Sequence, residues 1–412
     1  MSAETFAYPF LCIAIFFESF LLVTLLSAPT RAARTRKFEG EAPSVSIVVP
    51  CYSEESSIAA TVHSLLGLTY PKDKLTIVLV DDGSTDNTRS AMETFRTHEQ
   101  VRIIHKENGG KHTALNAGIA LLPAEIIGCL DADSFVEPDA LKEVVACFAD
   151  PKVAAATAAM SVHKPGNILQ HMQYAEYIFG ISVRHALASV NGLYVTPGPF
   201  SLYRSSVLKE VGVFRYGYQT EDMEMALRLQ KAGYVIENAP RARVYTKTPH
   251  TITRLLQQRT RWTTGFLRNM IFSYRDLILN PRHGTLGMLV LPLALLSIVN
   301  SIFLFGVFLF YLGTTISHAY AIRSGIPASY ALMPNLPTLD WFYFPTSLFF
   351  ILSILTLIAT LLLTHMGKRI SRTPGNLSIG IVSFFLFYGL LDPLWLIRAS
   401  TDVLTGKKRA WR

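Results

Sequence analysis

The chain has 412 residues, of which 50% are hydrophobic and only 17% are charged. This apolar content exceeds that of typical soluble proteins, which argues against an entirely soluble chain. The formal net charge is +8, but no nucleic-acid-binding motif accompanies it, and anionic lipid at a membrane surface accounts for the basic residues without nucleic acid. Cys12, Cys51, Cys129 and Cys147 show no paired spacing, so neither a disulfide nor a zinc site is predicted.

Four long segments contain most of the excess apolar residues. They are residues 8–27, 286–316, 342–364 and 377–397. Each has the length needed to span a bilayer. Buried core helices are the alternative interpretation, but such helices seldom run for about 20 residues without a polar face. We therefore predict a transmembrane helix at residues 8–28, three membrane segments within residues 286–398, and a soluble domain between them.

The positions of the basic residues predict the orientation of the chain in the membrane. Four of them follow the first segment: Arg31, Arg34, Arg36 and Lys37. Basic residues favour the cytoplasmic side, so the chain should begin outside and the soluble domain should be cytoplasmic. Three more lie between the last two segments and agree with this orientation: Lys368, Arg369 and Arg372.

The basic tail at residues 399–412 conflicts with a count of membrane crossings. Four crossings place the tail outside, whereas its charge predicts the cytoplasmic side. Its basic residues are Lys407, Lys408, Arg409 and Arg412. Either the last segment is re-entrant, or the segment at 286–316 contains a break.

Two acids, Glu18 and Asp392, fall within the apolar segments. Intramembrane acids are costly and often functional. They could line a substrate path, or each could face another helix that offers a polar partner such as Asn300.

From residue 45 onwards, strand and helix patterns alternate. The predicted strands are residues 45–50, 75–80, 101–104, 126–130 and 153–160, and the predicted helices include a stretch ending at Leu66 and residues 88–97 and 111–122. This order predicts an α/β domain with a mostly parallel, doubly wound sheet.

Polar residues follow three of the predicted strands. Tyr52 and Glu54 follow the first strand, Asp81 and Asp82 end the second, and the pair Asp131 and Asp133 follows the fourth. The carboxyl ends of parallel strands meet at one edge of the sheet, so these groups can line one crevice. The last pair is suited to a hard divalent cation that holds phosphates, although acidic pairs also occur in ordinary turns.

Two loops in this region have both a structural and a functional interpretation. The run from Asp81 to Thr88 can be a turn with Asp86 capping the next helix, or Asp81 can accept hydrogen bonds from a nucleoside. Similarly, the sequence NGGK that ends at Lys111 can be a loop and cap, or a flexible turn that brings Lys111 toward a diphosphate.

The sequence TED at residues 220–222 also has two interpretations. Thr220 is suited to cap a helix, and acids in a first helical turn are favoured by the helix dipole, which accounts for Glu221 and Glu224. Asp222 could in addition take the proton from an attacking hydroxyl.

Residues 251–279 form a basic amphipathic pattern just before a membrane segment, which predicts interfacial helices. Within it, Gln258, Arg261 and Trp262 lie at i, i+3 and i+4. Together they offer an amide, a cation for phosphate and an aromatic platform for a sugar ring.

These motifs together resemble the processive family 2 glycosyltransferases, which include the chitin, hyaluronan, cellulose and poly-N-acetylglucosamine synthases. The matching segments, in order, are VVPCYSEE, VDDGSTDNT, NGGKHTALN, DAD, TED and QRTRW. The resemblance implies a Rossmann-like GT-A domain at residues 40–250, interfacial helices at 251–280, a nucleotide-diphosphate sugar donor and inversion at the anomeric carbon.

The resemblance also implies roles for individual residues. Asp222 would be the general base, with Glu221 beside it, and Asp131 and Asp133 would hold Mg²⁺ or Mn²⁺. Gln258, Arg261 and Trp262 would bracket the leaving diphosphate and the acceptor. The residues expected to contact the nucleotide or donor are Pro50, Tyr52, Glu54, Asp81, Asp82, Lys111 and Asp131.

Two positions depart from the family pattern. Ser53 stands where these enzymes commonly have Asn, which matters little. The segment GPFS that begins at Gly198 is not the Cys-containing acceptor segment of cellulose synthases, which argues against cellulose as the product. No Arg-rich cyclic-dinucleotide-binding domain is expected after the last segment.

The leading functional prediction is a multi-pass membrane enzyme that polymerises a sugar, with N-acetylglucosamine the favoured unit, and passes the glycan through its own membrane segments. The first alternative is transfer of one sugar to a lipid phosphate or glycolipid. The second is a non-catalytic nucleotide-sugar sensor or transport component, against which the intact carboxylates at 131, 133 and 222 argue. No accessory export protein is named by the sequence.

Overall fold

The computed structural model describes residues 3–27, 41–121, 123–323 and 347–407. Several residues used above lie outside this part of the chain: Arg31, Arg34, Arg36, Lys37, Leu122, Lys408, Arg409, Arg412 and residues 342–346.

Helices and strands alternate through the domain, as the pattern predicted. The helices are α1 Ala3–Ser27, α2 Ile58–Leu66, α3 Thr88–Glu93, α4 Lys111–Leu121, α5 Ala140–Val145, α6 Ile168–Ser189, α7 Ser205–Val211, α8 Glu221–Lys231, α9 Ile252–Arg268, α10 Leu291–Arg323, α11 Leu348–Ser371, α12 Ser378–Ser383 and α13 Gly389–Leu404. The strands are β1 Val45–Cys51, β2 Leu75–Asp82, β3 Val101–Lys106, β4 Ile126–Cys129, β5 Ser134–Val136, β6 Val153–Val162, β7 Ser201–Arg204 and β8 Val235–Thr246.

All eight strands form one sheet in the order β3-β2-β1-β4-β7-β6-β8-β5. The half built from β3, β2, β1 and β4 is parallel. Its central strand β1 is an almost continuous apolar run that is buried along its length, as expected for a parallel strand covered by helices on both faces. This half confirms the predicted α/β arrangement and brings the ends of β2, β1 and β4 side by side.

The other half of the sheet differs from the prediction. Strands β5, β7 and β8 were not predicted, and β7 pairs antiparallel with both β4 and β6. Both β5 and β7 are short, with three and four residues, so neither contains enough residues to show a period of two. The predicted helix at 88–97 is also shorter and ends at Glu93.

Four helical segments among the described residues are long and apolar enough to cross a bilayer. They are Tyr8–Ser27, Leu286–Ile322, Leu348–Ser371 and Ser378–Leu404. These match the four predicted segments, and the second runs as an unbroken α-helix over Leu291–Arg323 after a π-helical turn at Leu286–Val290. The structure therefore shows no break in the second segment.

Both ends of the last apolar segment lie close to the α/β domain. Just before it, Arg243 of β8 donates to the carbonyl of Arg372, the residue that caps the end of α11, over 3.0 Å. At its end, Arg268 at the end of α9 donates to the carbonyl of Lys407 over 2.6 Å. These contacts bring the start of the basic tail to the α/β domain, which agrees with the re-entrant alternative.

The two intramembrane acids each accept a hydrogen bond from a hydroxyl on another helix. Glu18 accepts from Thr360 over 2.6 Å, and Asp392 accepts from Ser301 over 2.7 Å. The arrangement is the second of the two predicted alternatives, except that Ser301 takes the place suggested for Asn300.

Candidate active site

The ends of three adjacent parallel strands form the floor of the candidate site. Cys51 at the end of β1 pairs with Asp81 in β2, and Val48 of β1 pairs with Cys129 of β4, so Asp131 follows directly at the same edge. Two backbone N–H groups tie the loop after β1 to the loop after β2: Ser53 donates to Ser84 over 3.0 Å, and Glu54 to Thr88 over 2.7 Å. The three strand ends therefore lie at one edge of the sheet, as predicted, and the crevice that they would line stays a prediction.

The two acids at the end of β2 have different surroundings. Asp81 is buried, accepts from the Ser84 N–H over 2.9 Å and lies 3.2 Å from Nδ1 of His105. Asp82 accepts from Lys106 over 2.5 Å and from the backbone N–H groups of residues 109 and 110. Asp82 therefore shapes the NGG loop, and donor contact by either acid stays a prediction.

Pro50 and Tyr52 lie at the end of β1, the first within the sheet and the second just after the strand. Pro50 pairs in register with Val80 within the sheet, whereas the Tyr52 side chain is 37% exposed at the rim. An aromatic side chain at this position is available to stack on a ligand ring.

Lys111 connects the DAD and TED motifs. Its Nζ lies 2.6 Å from Oδ1 of Asp131 and 3.1 Å from Oε1 of Glu221. Burial alone would lower the pKa of Lys111, but the carboxylates of Asp131, Glu221 and Asp222 raise it well above its ordinary value. Lys111 is therefore a fixed positive charge at the centre of the candidate site. The sequence had predicted only that Lys111 lies near the nucleotide.

Asp133 is an enclosed carboxylate in a surplus of negative charge. Its pKa is raised to about 7 by burial and then by the nearby carboxylates of Asp131 and Glu54. Burial also raises the pKa of Glu54, whose Oε2 accepts from Ser57 over 2.5 Å. A bound cation would relieve this repulsion, since a positive charge favours the ionised form of each acid.

The protein side chains alone do not build a complete metal cage. Among the described residues, no group of three or more His, Cys, Asp or Glu side chains converges as a metal site. Mg²⁺ is usually held by one or two carboxylates together with substrate phosphates. The pair Asp131 and Asp133 fits that arrangement, because both offer hard oxygen ligands and the repulsion from Asp131 and Glu54 raises the pKa of Asp133 even with Lys111 paired to Asp131.

Asp222 lies at the start of α8 with its carboxylate held by two backbone N–H groups. Its Oδ1 accepts from its neighbour Met223 over 2.8 Å, and its Oδ2 accepts from Gly198 over 3.2 Å. The pKa of Asp222 is raised to about 6 by burial and by the Glu221 carboxylate, while Lys111 opposes the rise. A carboxylate with this pKa is ionised near neutral pH and basic enough to accept a proton.

Thr220 does not cap α8 with its side chain, contrary to the sequence prediction. Its hydroxyl instead donates to the carbonyl of Gly217 over 2.7 Å. The backbone at Thr220 (φ −136°, ψ 59°) follows a left-handed turn, and this turn presents the carbonyl to the hydroxyl.

Gly198 is a site residue to which the sequence gave no role. A Cβ atom there would lie 2.7 Å from Nζ of Lys111 and 2.9 Å from Oδ2 of Asp131. Its own N–H binds Asp222, so the glycine lets the backbone reach both carboxylates. The pairing of Cys129 with Ser201 in β7 carries it there. The unpredicted strand is the reason that the sequence did not reveal it.

The helix α9 carries the QRTRW motif beside this site. Trp262 is partly buried and packs under the guanidinium of Arg259, whose Cζ is 4.4 Å from the ring centroid. Arg259 is in turn fixed by Glu176 of α6 over 2.8 Å. The sequence assigned no role to Arg259, although it lies inside the motif. Oε1 of Gln258 is buried and, within the described part of the chain, accepts no hydrogen bond.

An apolar cavity of about 340 Å³ lies between α9 and the membrane helices. Its walls include Trp262 of α9, Met223 next to Asp222, Phe17 of α1, Val183 of α6 and Ile298 of α10. Most of its lining residues are apolar. The cavity is thus lined by the tryptophan of the QRTRW motif and by the residue that follows the acid of the TED motif.

Comparisons with known proteins agree with this geometry. Residues 42–265 match a family model described as glycosyltransferase like family 2. Poly-beta-1,6-N-acetyl-D-glucosamine synthase of Staphylococcus epidermidis is 32% identical over 224 residues, 54% of each chain. The synthase of that name in Staphylococcus aureus strain COL is 30% identical over 228 residues, 55% of each. The chain thus spans about half the length of these curated relatives.

A solved structure resembles nearly the whole chain. It is a mannosyltransferase from Pyrobaculum calidifontis in complex with GDP-Man and Mn²⁺, with a TM-score of 0.58 and 20% identity. The likeness covers 97% of this chain and 99% of that one. At this identity the likeness supports the fold alone. It confirms the predicted GT-A-type domain with flanking apolar helices.

Proposed function

The chain belongs to the glycosyltransferase-like family 2, and from this premise we propose that it is a membrane-bound inverting glycosyltransferase that extends a glycan from a nucleotide-diphosphate sugar. The observation that carries the proposal is the meeting of Asp131, Lys111, Glu221 and Asp222 at one edge of the sheet. Such a site combines a proposed metal ligand, a fixed cation and a base of suitable pKa.

In the proposed reaction, an acceptor hydroxyl attacks the anomeric carbon of the donor. The new bond from carbon to acceptor oxygen forms as the bond to the diphosphate oxygen breaks, and the nucleoside diphosphate leaves with the electron pair. Asp222 takes the hydroxyl proton. Its two backbone hydrogen bonds fix the carboxylate for this transfer, and a general base contributes about 10²–10⁴-fold to such a step.

Cations on this chain would stabilise the leaving group. Lys111 lies within the cluster of acids, and Arg261 is on α9 close to Trp262, where a guanidinium can bind phosphate oxygens in pairs. We assign Asp131 and Asp133 to a divalent cation, Mg²⁺ or Mn²⁺. When bound, that ion supplies Lewis-acid neutralisation of the charge developing on the diphosphate.

We propose UDP-N-acetylglucosamine as the donor and a poly-N-acetylglucosamine chain as the product. The support is the identity to two synthases of that polymer and the position of Trp262 in the wall of the cavity that Met223, the chain neighbour of Asp222, also lines. An aromatic ring there can hold the acceptor sugar between additions. The proposed site faces the cytoplasm, and the glycan leaves through the membrane helices.

Transfer to a lipid-linked acceptor is a second candidate that one observation favours. The cavity beside Met223 and Trp262 is walled mainly by apolar side chains, and an apolar cavity suits a hydrocarbon chain better than a hydroxyl-rich glycan. A lipid seated there would present its head group next to Asp222.

One experiment separates the two candidates. The purified full chain in lipid vesicles receives a panel of labelled uridine- and guanosine-diphosphate sugars with Mg²⁺ or Mn²⁺, and the products are sized before and after specific glycosidases. We expect high-molecular-weight material from UDP-N-acetylglucosamine. Trp262→Ala should shorten this polymer. The matched variant Trp262→Tyr retains an aromatic ring and should give a polymer of nearly wild-type length. A product with one sugar on an organic-soluble lipid would replace the first proposal by the second.

A further inference from the structure

The turn that precedes Asp222 has a strained backbone. Gly217, Tyr218 and Gln219 have φ angles of 51°, 54° and 69°, three left-handed residues in succession. Side chains such as those of Tyr218 and Gln219 rarely adopt this conformation, and it persists only where neighbouring groups hold it. The turn leads within three residues to the proposed base, so whatever holds the turn also holds the base.

The side chain of Asn269 contacts this turn directly. Asn269 is fully buried, with 0% exposure. Its Nδ2 donates to the Gly217 carbonyl over 3.2 Å, to the Thr220 hydroxyl over 3.1 Å and to the Gly265 carbonyl over 3.0 Å. Two N–H groups thus serve three acceptors, two of which belong to the strained turn.

Two further contacts place the same interfacial segment against α8. A Cβ atom at Gly265 would lie 2.4 Å from Cγ2 of Thr220, so α9 touches the turn with no space for a methyl group. On the other side, the Tyr274 hydroxyl donates to Glu224 over 2.6 Å, and the Tyr274 N–H donates to the Asn269 carbonyl over 2.8 Å. Gly265, Asn269 and Tyr274 therefore contact residues on both sides of Asp222 in the chain, from residue 217 to residue 224.

The backbone around Asn269 also departs from a regular helix. α9 ends at Arg268, and residues Asn269–Ser273 form a π-helical turn. Such turns are uncommon and frequently occur at functional sites. Here the π-helical turn begins at the residue that bonds the strained turn.

We infer that Asn269 is a positioning residue for sugar transfer, which sets the 217–220 turn, and through it the Asp222 carboxylate, against the helix that carries Gln258, Arg261 and Trp262. The inference rests on the proposed function, because it takes Asp222 as the base. Base and acceptor-binding groups lie on separate elements, and this buried contact joins them. A misplacement of about 1 Å can lower a rate about 100-fold without loss of binding.

The test uses Asn269→Ala and the isosteric Asn269→Asp in the full chain in lipid vesicles. Release of UDP from UDP-N-acetylglucosamine with Mn²⁺ gives kcat and the donor KM, and hydrogen exchange reports on the amides of residues 217–221. We expect kcat to fall about 10- to 100-fold, the donor KM to stay within about twofold, and exchange at 217–221 to accelerate. Asn269→Asp should match Asn269→Ala, since it keeps the shape but places an oxygen against acceptor oxygens.

Asn238→Ala is the matched control. Asn238 is similarly buried, at 4% exposure, and its Nδ2 donates to the Thr157 hydroxyl and carbonyl over 3.1 and 3.3 Å. Its loss should lower Tm to a similar extent and leave kcat within about twofold. An unchanged kcat in Asn269→Ala, or a loss shared equally by Asn238→Ala, would overturn the inference. A wild-type chain that turns over no donor would defeat the proposed function, and unchanged exchange at 217–221 would then still defeat the positioning role.

Discussion

Replacing Asp222 by asparagine removes the proposed base and keeps the shape of the side chain. A general base contributes about 10²–10⁴-fold to the rate. At about 1.4 kcal/mol for each tenfold change, this corresponds to an increase of about 3–5 kcal/mol in the activation barrier. We therefore expect kcat of Asp222→Asn to fall by at least about 100-fold, while the donor continues to bind.

The structure indicates a small effect of the same change on stability. The carboxylate accepts one hydrogen bond from Met223 and one from Gly198. Asparagine has a single acceptor oxygen and keeps one of them, at a cost of about 1 kcal/mol. This loss is offset, because burial and Glu221 raise the pKa of Asp222 from 3.8 to about 6.

The sign of that offset follows from proton linkage. A carboxyl whose pKa is raised on folding contributes stability below its unfolded pKa and loses it as pH rises through the folded value. Above pH 6 the charged Asp222 therefore opposes folding, and asparagine removes this opposition. We expect Tm of the variant to stay within a few degrees of wild type at pH 7.5, since about 1 kcal/mol corresponds to about 2–4 °C in a domain of this size.

The assay measures kcat, the donor KM, donor affinity by calorimetry and Tm on the same preparation. The wild-type kcat should fall as pH decreases through about 6, because the base must be unprotonated. Asp222→Asn should lack this acid limb. Glu221→Gln is the companion variant: it removes a charge that raises the Asp222 pKa, so its acid limb should move to lower pH. An equal loss of donor affinity and kcat in Asp222→Asn, or a retained acid limb, would refute the assignment.

Three further predictions concern charge, metal and topology. Lys111→Met removes the cation that opposes the rise in the Asp222 pKa, so the acid limb of kcat should move to higher pH; the uncompensated acids should also lower the unfolding free energy by about 3–5 kcal/mol in a denaturant titration. Activity should disappear in chelator and return with Mg²⁺ or Mn²⁺, and Asp133→Asn should weaken donor binding as well as turnover; full activity in chelator would exclude the metal role. A single cysteine at the exposed position Thr94 should resist a membrane-impermeant reagent in intact cells, and labelling without permeabilisation would contradict a cytoplasmic domain.

The amino-acid sequence by itself determined the parallel half of the sheet and the position of the carboxylates along it. Apolar runs of strand length alternate with helical patterns from residue 45 onwards, and this order requires parallel pairing through helical crossovers. Parallel strands end at a common edge, so the acids at the ends of β1, β2 and β4 necessarily lie near one another there. The four apolar segments were equally evident, because membrane-spanning length is a property of contiguous sequence.

Only the tertiary structure decided which residues complete the site. Gly198 reaches Asp131 through the antiparallel pairing of β4 with β7, a strand too short to recognise from its pattern. Arg259 is fixed by Glu176, 83 residues away, and Asn269 contacts Thr220, 49 residues away. Such pairs leave no periodic signal in a single sequence.

The contacts between the last segment and the α/β domain likewise came only from the tertiary structure. Charge and crossing count disagreed, and the sequence offered two explanations of equal standing. The contacts of Arg243 with residue 372 and of Arg268 with Lys407 favour the re-entrant one. The raised pKa values of Asp133 and Asp222 have the same origin, since they depend on burial and on neighbouring charges that folding brings together. Local pattern thus set the elements and the edge where the acids gather, and the long-range contacts set how those acids are held and charged.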